Sequence, residues 1–97
     1  MLESDYDETL NLEWRGIPIK VTLVKEHFNS GFHHIELRAD RPLPMTETGY
    51  RSHFMQAERF DEYDGLKDFV TRWLNMASNS RDWARIQENY AQPSLFD

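Results

Sequence analysis

TLNLEWRGIPIKVTL, residues 9–23, decides the fold. Leu10, Leu12 and Trp14 alternate with Asn11 and Glu13, the period of a strand with one wet and one buried face. Arg15-Gly16 supplies a two-residue turn, after which Ile17, Ile19, Val21 and Leu23 resume the alternation with Lys20 and Thr22 opposite. An antiparallel hairpin with one continuous apolar side is the expectation. Pro18 has no backbone donor, so it is expected where the ladder needs no bond.

Working outward, the turn-forming HFNSG (27–31) leads into a third strand over residues 32–39, with Gly31 able to take positive φ. Ile35 and Leu37 face the core there, with His33 at its entrance, while His34, Glu36 and Arg38 face the other way. DRPLP (40–44) ends the strand, because two prolines remove donors and push their neighbours towards extended conformations. TETG (46–49) is turn chemistry: its hydroxyls can satisfy backbone groups and Gly49 can take positive φ. A fourth strand over residues 50–56 puts Tyr50, Ser52 and Phe54 on one face and Arg51, His53 and Met55 on the other. The aromatic set is expected to point inward.

Helical spacing follows the acidic segment FDEYDG (60–65): Leu66, Phe69, Val70, Trp73, Leu74 and Ala77 form an i, i+3, i+4, i+7 stripe. DEYDG (61–65) lacks the alternating ligands of a calcium loop and reads as helix-entry chemistry, with Asp64 as the expected N-cap. Asn79 is expected to end this helix and Ser80 to cap a shorter one carrying Trp83, Ile86 and Tyr90. Trp73 and Trp83 read as core anchors. The assembled expectation is an α+β protein, a four-stranded antiparallel sheet followed by two C-terminal helices packed on one face in two layers. Residues 1–8 read as an acidic flexible start, 9–91 as a single domain and 92–97 as a tail that Pro93 keeps out of a helix.

Composition narrows the function. A chain of 97 residues has room for one domain, and 39% apolar with 13% aromatic residues suffices for a core. There is no cysteine, which excludes disulfides, thiolate nucleophiles and cysteine-rich zinc sites. A net charge of -6 disfavours direct binding of duplex nucleic acid or an anionic membrane, both of which draw on clustered lysine and arginine. The acidic start is unlike a secretory signal and no apolar run approaches the roughly 20 residues of a membrane span, so a cytoplasmic location is expected. No nucleotide or cofactor motif is present, and no cofactor is expected.

The residues that stand out as a binding surface are His34, Glu36 and Arg38 from the third strand with Arg51 and His53 from the fourth, all expected on the uncovered sheet face. Two imidazoles and a carboxylate are the donor set of some zinc and iron sites, and the same groups can do acid–base work. An ordinary cross-strand polar network is the leading expectation, with no metal and no catalytic residue assigned. Ser52 and His53 are adjacent, so on a strand they face opposite sides and cannot act as nucleophile and base.

The last segment, QPSLF (92–96), resembles the short peptide by which bacterial replication and repair proteins dock on the DNA polymerase sliding clamp, commonly Gln-Leu-Ser/Asp-Leu-Phe. The resemblance implies a polar anchor at Gln92, a middle position at Ser94 and a pocket-filling pair at Leu95 and Phe96. Pro93 stands where leucine is usual, and as proline it lowers the entropy lost when a free tail becomes extended. The chain from about Trp14 to Phe96 also resembles a family of small bacterial proteins, some encoded on plasmids and other mobile elements. The residues that carry this likeness are HIELRA (34–39), LPMTETGYRSHF (43–54) and the Leu95-Phe96 ending. What it implies is a compact bacterial domain without an assigned reaction.

Three functional readings follow. The leading one is a small interaction or adaptor protein with a protein partner, its tail either packing Phe96 back on its own helices or sheet, the weightier alternative, or docking a replication partner such as the sliding clamp. A metal-dependent or acid–base enzyme on the exposed sheet face is the second. The third is an acidic inhibitor from a mobile element that imitates nucleic acid.

Overall fold

A computed structural model describes residues 6–25 and 30–91. The protein is α+β. Four strands, β1 (Glu8–Trp14), β2 (Ile17–Val24), β3 (Phe32–Ala39) and β4 (Tyr50–Gln56), are followed by a single turn α1 (Ala57–Phe60) and by α2 (Leu66–Ala77) and α3 (Arg81–Ala91). The sheet is antiparallel throughout and its order is the chain order, β1-β2-β3-β4. The clamp-like tail, residues 92–97, and most of the HFNSG turn lie outside the described residues.

The first hairpin closes through Arg15 at φ 50 and Gly16 at φ 82. Two successive positive φ values give the tight turn whose twist matches the flanking strands. Trp14 pairs with Ile17 and Glu13 with Pro18. The closing pair of such a turn exchanges both of its bonds, so Pro18 faces its nitrogen away from β1, towards β3. There the ladder stops one residue short, at Ile19 opposite Ala39. The missing donor therefore costs no bond, as expected.

The apolar faces of β1, β2 and β3 meet the helices as the alternation predicts. Ile19, Val21, Leu23, Ile35 and Leu37 are all at most 2% exposed and pack with Leu66, Phe69, Val70 and Leu74 of α2 and with Trp83 and Ile86 of α3. Each fully buried aliphatic side chain of this kind contributes on the order of 1.5–3 kcal/mol. Trp14 stitches the layers: its indole N–H donates to Asn75 Oδ1 at 2.9 Å, and its ring lies 5.9 Å from that of Trp83. His33 is buried, its ring edge-on to Phe60 at 5.2 Å, which matches its expected place at the core entrance.

Several local expectations are corrected. The sheet begins one residue early, at Glu8, and Asp7 N–H already donates to Leu23 O at 2.8 Å. An unforeseen turn, α1, continues directly from β4 and buries Phe60. Asp64 does not cap α2. The N-cap is Gly65, and the Asp68 carboxylate reaches back to accept the Asp64 N–H at 3.0 Å. The helix ends at Ala77 with Ser78 as its C-cap, before Asn79. Tyr90 is 59% exposed instead of joining the stripe of Trp83 and Ile86.

Ser80 does cap α3, its hydroxyl accepting the Trp83 N–H at 3.1 Å. Ser80→Ala is expected to destabilise the protein by about 1 kcal/mol, because it orphans a donor at the helix start. Urea denaturation measures this loss, and Ser80→Asp should restore most of it.

Candidate functional site

The fourth strand is reversed relative to expectation. Register places Leu37 opposite Arg51, Ile35 opposite His53 and His33 opposite Met55, so Arg51, His53 and Met55 lie on the helix side of the sheet. Tyr50, Ser52 and Phe54 stand opposite Arg38, Glu36 and His34, on the side of the sheet away from the helices. The physical cause is the TETG turn. Gly49 O accepts the Ala39 N–H at 2.8 Å, and this bond sets the parity of every pair that follows. Tyr50 is 40% and Phe54 52% exposed, where inward-facing positions were expected.

The five expected site residues therefore divide into two groups. His34, Glu36 and Arg38 share the open face, while Arg51 and His53 are on the other side of the sheet. Two imidazoles and Glu36 do not converge, so the metal or acid–base arrangement built on His34, Glu36, Arg51 and His53 is not assembled. Among the described residues no group of three or more histidines and carboxylates could hold a metal ion.

On the open face a polar network does form, with Arg38 beside Glu36 as expected and Tyr50 and Ser52 as the partners across the strand. Tyr50 Oη donates to Glu36 Oε2 at 2.6 Å, and the Arg38 guanidinium is 3.6 Å from Glu36 Oε1 while lying 4.6 Å over the Tyr50 ring. His34 Nε2 shares a hydrogen bond with Ser52 Oγ at 2.7 Å, comes within 4.0 Å of Glu36, and stacks on Phe54 at 4.3 Å. The bond to Glu36, then burial, then the Glu36 charge hold the Tyr50 phenol above its ordinary range, since each disfavours a second anion beside the first. Glu36 is the hub: its side chain is 16% exposed, against 57% for Arg38. An ordered, charge-assisted cluster with aromatic and arginine groups at its rim is suited to recognition.

Sequence reasoning missed Tyr50, Ser52 and Phe54 as members of this cluster. The signal that could have found them is the turn: with Gly49 bonded to Ala39, Tyr50 must oppose Arg38.

On the helix side, His53 lies 4.6 Å from the Trp73 ring and 6.0 Å from that of Phe69. Arg51 donates to Met45 O at 3.2 Å and sits 5.7 Å over Trp73. Burial first, and the Arg51 charge second, hold the His53 imidazole below its ordinary value of 6.5. The unfolded chain takes up this proton more readily, so the His53 contribution to stability is complete above pH 6.5 and is lost as pH falls through 6.5 towards the folded value. In an NMR titration the His53 ring protons are expected to show a midpoint below 6.5, moved up by Arg51→Gln but still short of 6.5, because burial remains.

The TETG segment is structural. Thr46 Oγ1 donates to Tyr50 O at 2.8 Å, and Thr48 Oγ1 accepts the Tyr50 N–H at 3.3 Å, so the hydroxyls satisfy backbone groups as expected.

A family model described as the KlcB third domain matches residues 7–83, which takes in the whole sheet, α1, α2 and the start of α3. No curated protein and no solved structure matches the chain significantly.

Proposed function

The chain belongs to the KlcB third-domain family, and we propose that it is a small interaction module whose open sheet face, organised around Glu36, meets a protein partner. The observation that carries this reading is the connected cluster of Arg38, Tyr50, Glu36, His34, Ser52 and Phe54 on the side of the sheet away from the helices. Among the described residues, the apolar core lies on the other side of the sheet. Hydrogen bonds from Tyr50 to Glu36 and between His34 and Ser52 fix the centre of the cluster, so little side-chain entropy is left there to lose on binding. Tyrosine and arginine are also the residue types that most often dominate interface energetics. In KlcB the matching unit is a third domain, and a unit that works beside others needs a surface for them.

The tail offers a second contact. QPSLF, by its likeness to the clamp peptide, would dock a bacterial sliding clamp through Gln92, Leu95 and Phe96, as expected of a peptide with roughly micromolar affinity. This would place the module at replicating DNA without contact to the duplex, in keeping with its negative charge.

Affinity capture from the native host with the wild-type chain, with Arg38→Ala/Phe54→Ala and with residues 92–97 deleted separates the two contacts. A partner retained by wild type and lost by the double variant supports the face, and equal retention removes it. Binding to purified sliding clamp that survives deletion of the tail removes the clamp contact.

A further inference from the structure

We infer that the outer edge of β4 and the cavity beside it form a docking site for an extended segment of a protein partner, one carrying a bulky apolar side chain next to an acidic one. This site uses the backbone of Ser52, whose side chain belongs to the open face, and does not depend on that face. Among the described residues, β4 ends the sheet and has β3 as its one strand neighbour. Ala39 N–H donates to Gly49 O at 2.8 Å, and Ala57 N–H to Gly31 O at 2.9 Å, which fixes the phase of the ladder. Residues 49, 51, 53 and 55 thus turn their backbone polar groups towards β3, and the residues between them turn theirs to the outer edge. At Tyr50 those groups are taken by the hydroxyls of Thr46 and Thr48. Ser52, an exposed residue, is therefore the first position whose outward N–H and C=O the ladder leaves to a guest strand.

A strand added there continues the pleat, so every second side chain of the guest falls on the helix side, level with His53. A cavity of about 450 Å³ opens at that place, lined by His53, Tyr63, Phe69, Arg72, Trp73 and Met76. Its walls are mostly aromatic, and Met76, 69% exposed, gives it one adaptable side. Two arginines, Arg72 in its wall and Arg51 over the Trp73 ring, decide the chemistry of the guest. Arg72 is paired with Asp68 at 3.1 Å. Arg51, over Trp73, has a carbonyl partner and no carboxylate within ion-pair distance among the described residues. A partner carboxylate beside the apolar anchor would neutralise it. A docking helix satisfies its own backbone and would leave the Ser52 groups unused, whereas an extended segment uses both the edge and the cavity.

The probe is a displayed library of random heptapeptides selected on the full chain, followed by solution binding of the enriched sequences. The expected consensus is a bulky apolar residue with Asp or Glu close by in an otherwise β-forming sequence. Affinity should fall by about tenfold or more in Met76→Lys, which fills the cavity mouth from an exposed position, and in Ser52→Pro, which removes the outward donor. Arg51→Gln should weaken binding and flatten its salt dependence. Arg38→Ala, on the opposite face, should leave it unchanged, so this site and the open face can fail separately. Thermal unfolding of each variant checks that the fold persists. Absence of enrichment, a consensus with helical i, i+4 spacing, or unchanged affinity in Met76→Lys overturns the proposal. So does a concentration-dependent dimer that Ser52→Pro dissolves, because the edge would then belong to a second copy.

Discussion

Gly49→Ala is expected to lower the unfolding free energy by about 3 kcal/mol and the melting temperature by roughly 12–24 °C. Gly49 has φ +84, where an L side chain is strained. A Cβ there would also stand 2.5 Å from the Ala39 carbonyl oxygen and 2.8 Å from that of Arg41. Both obstacles are backbone, so neither can swing aside as a side chain could. Relief requires the turn to open, which would break the Ala39–Gly49 bond that sets the parity of β4. Gly16→Ala is the control: its φ is +82 but nothing lies within 4 Å of the added methyl, so the expected loss is about 1 kcal/mol. Urea denaturation of the two variants separates backbone strain from collision. Equal losses would show that the Gly49 contacts do not matter.

Leu43→Ala is expected to cost about 3 kcal/mol, as much as a truncation in the middle of a core strand. Leu43 belongs to the connection between β3 and β4, yet its exposure is 0% and it joins the main apolar cluster. Its backbone is fastened as well, since Leu43 and Thr46 exchange bonds of 2.8 and 3.0 Å. The loop is thus anchored from inside, and truncation leaves a cavity that its two prolines make slow to collapse. The same denaturation experiment checks it, with Met45→Ala, at a half-buried neighbour, expected to lose clearly less. A loss below about 1 kcal/mol for Leu43→Ala would mean that the connection yields and fills the gap.

What could be read from the sequence and what could not differ for one physical reason. Alternation in β1, β2 and β3 is between strongly apolar and strongly polar residues, and both sides of the rule agree on which face is buried. Helix α2 is equally plain, because Leu66, Phe69, Val70 and Leu74 repeat at helical spacing and are all buried. In β4 the two faces are amphipathic: Tyr50 and Phe54 against Arg51, His53 and Met55. Composition favours aromatics inside, but β4 is an edge strand, and its helix-side positions reach past the centre of the core. There His53 can lie against Phe69 and Trp73, and Arg51 can cover Trp73, without full burial. Parity set by the turn that precedes the strand outweighs side-chain preference in such a place. The candidate face was correspondingly half legible: His34, Glu36 and Arg38 are where their own strand put them. Their partners across the strand required a register that residues 50–56 do not contain.

Strand order has a kinetic consequence. Every strand pairs with its neighbour in sequence, so all three ladders of the sheet can form in the order in which the chain leaves the ribosome. The contacts that span the chain come from the helices: Trp14 must wait for Asn75 and Trp83, some 60 to 70 residues on. Docking of the helices on a sheet already in register is therefore the step expected last. Pulsed hydrogen exchange during refolding should find the amides of β2 and β3 protected before those of α2. Until the helices arrive, the apolar side of the meander is bare, and the interval before docking is when this chain is most exposed to aggregation.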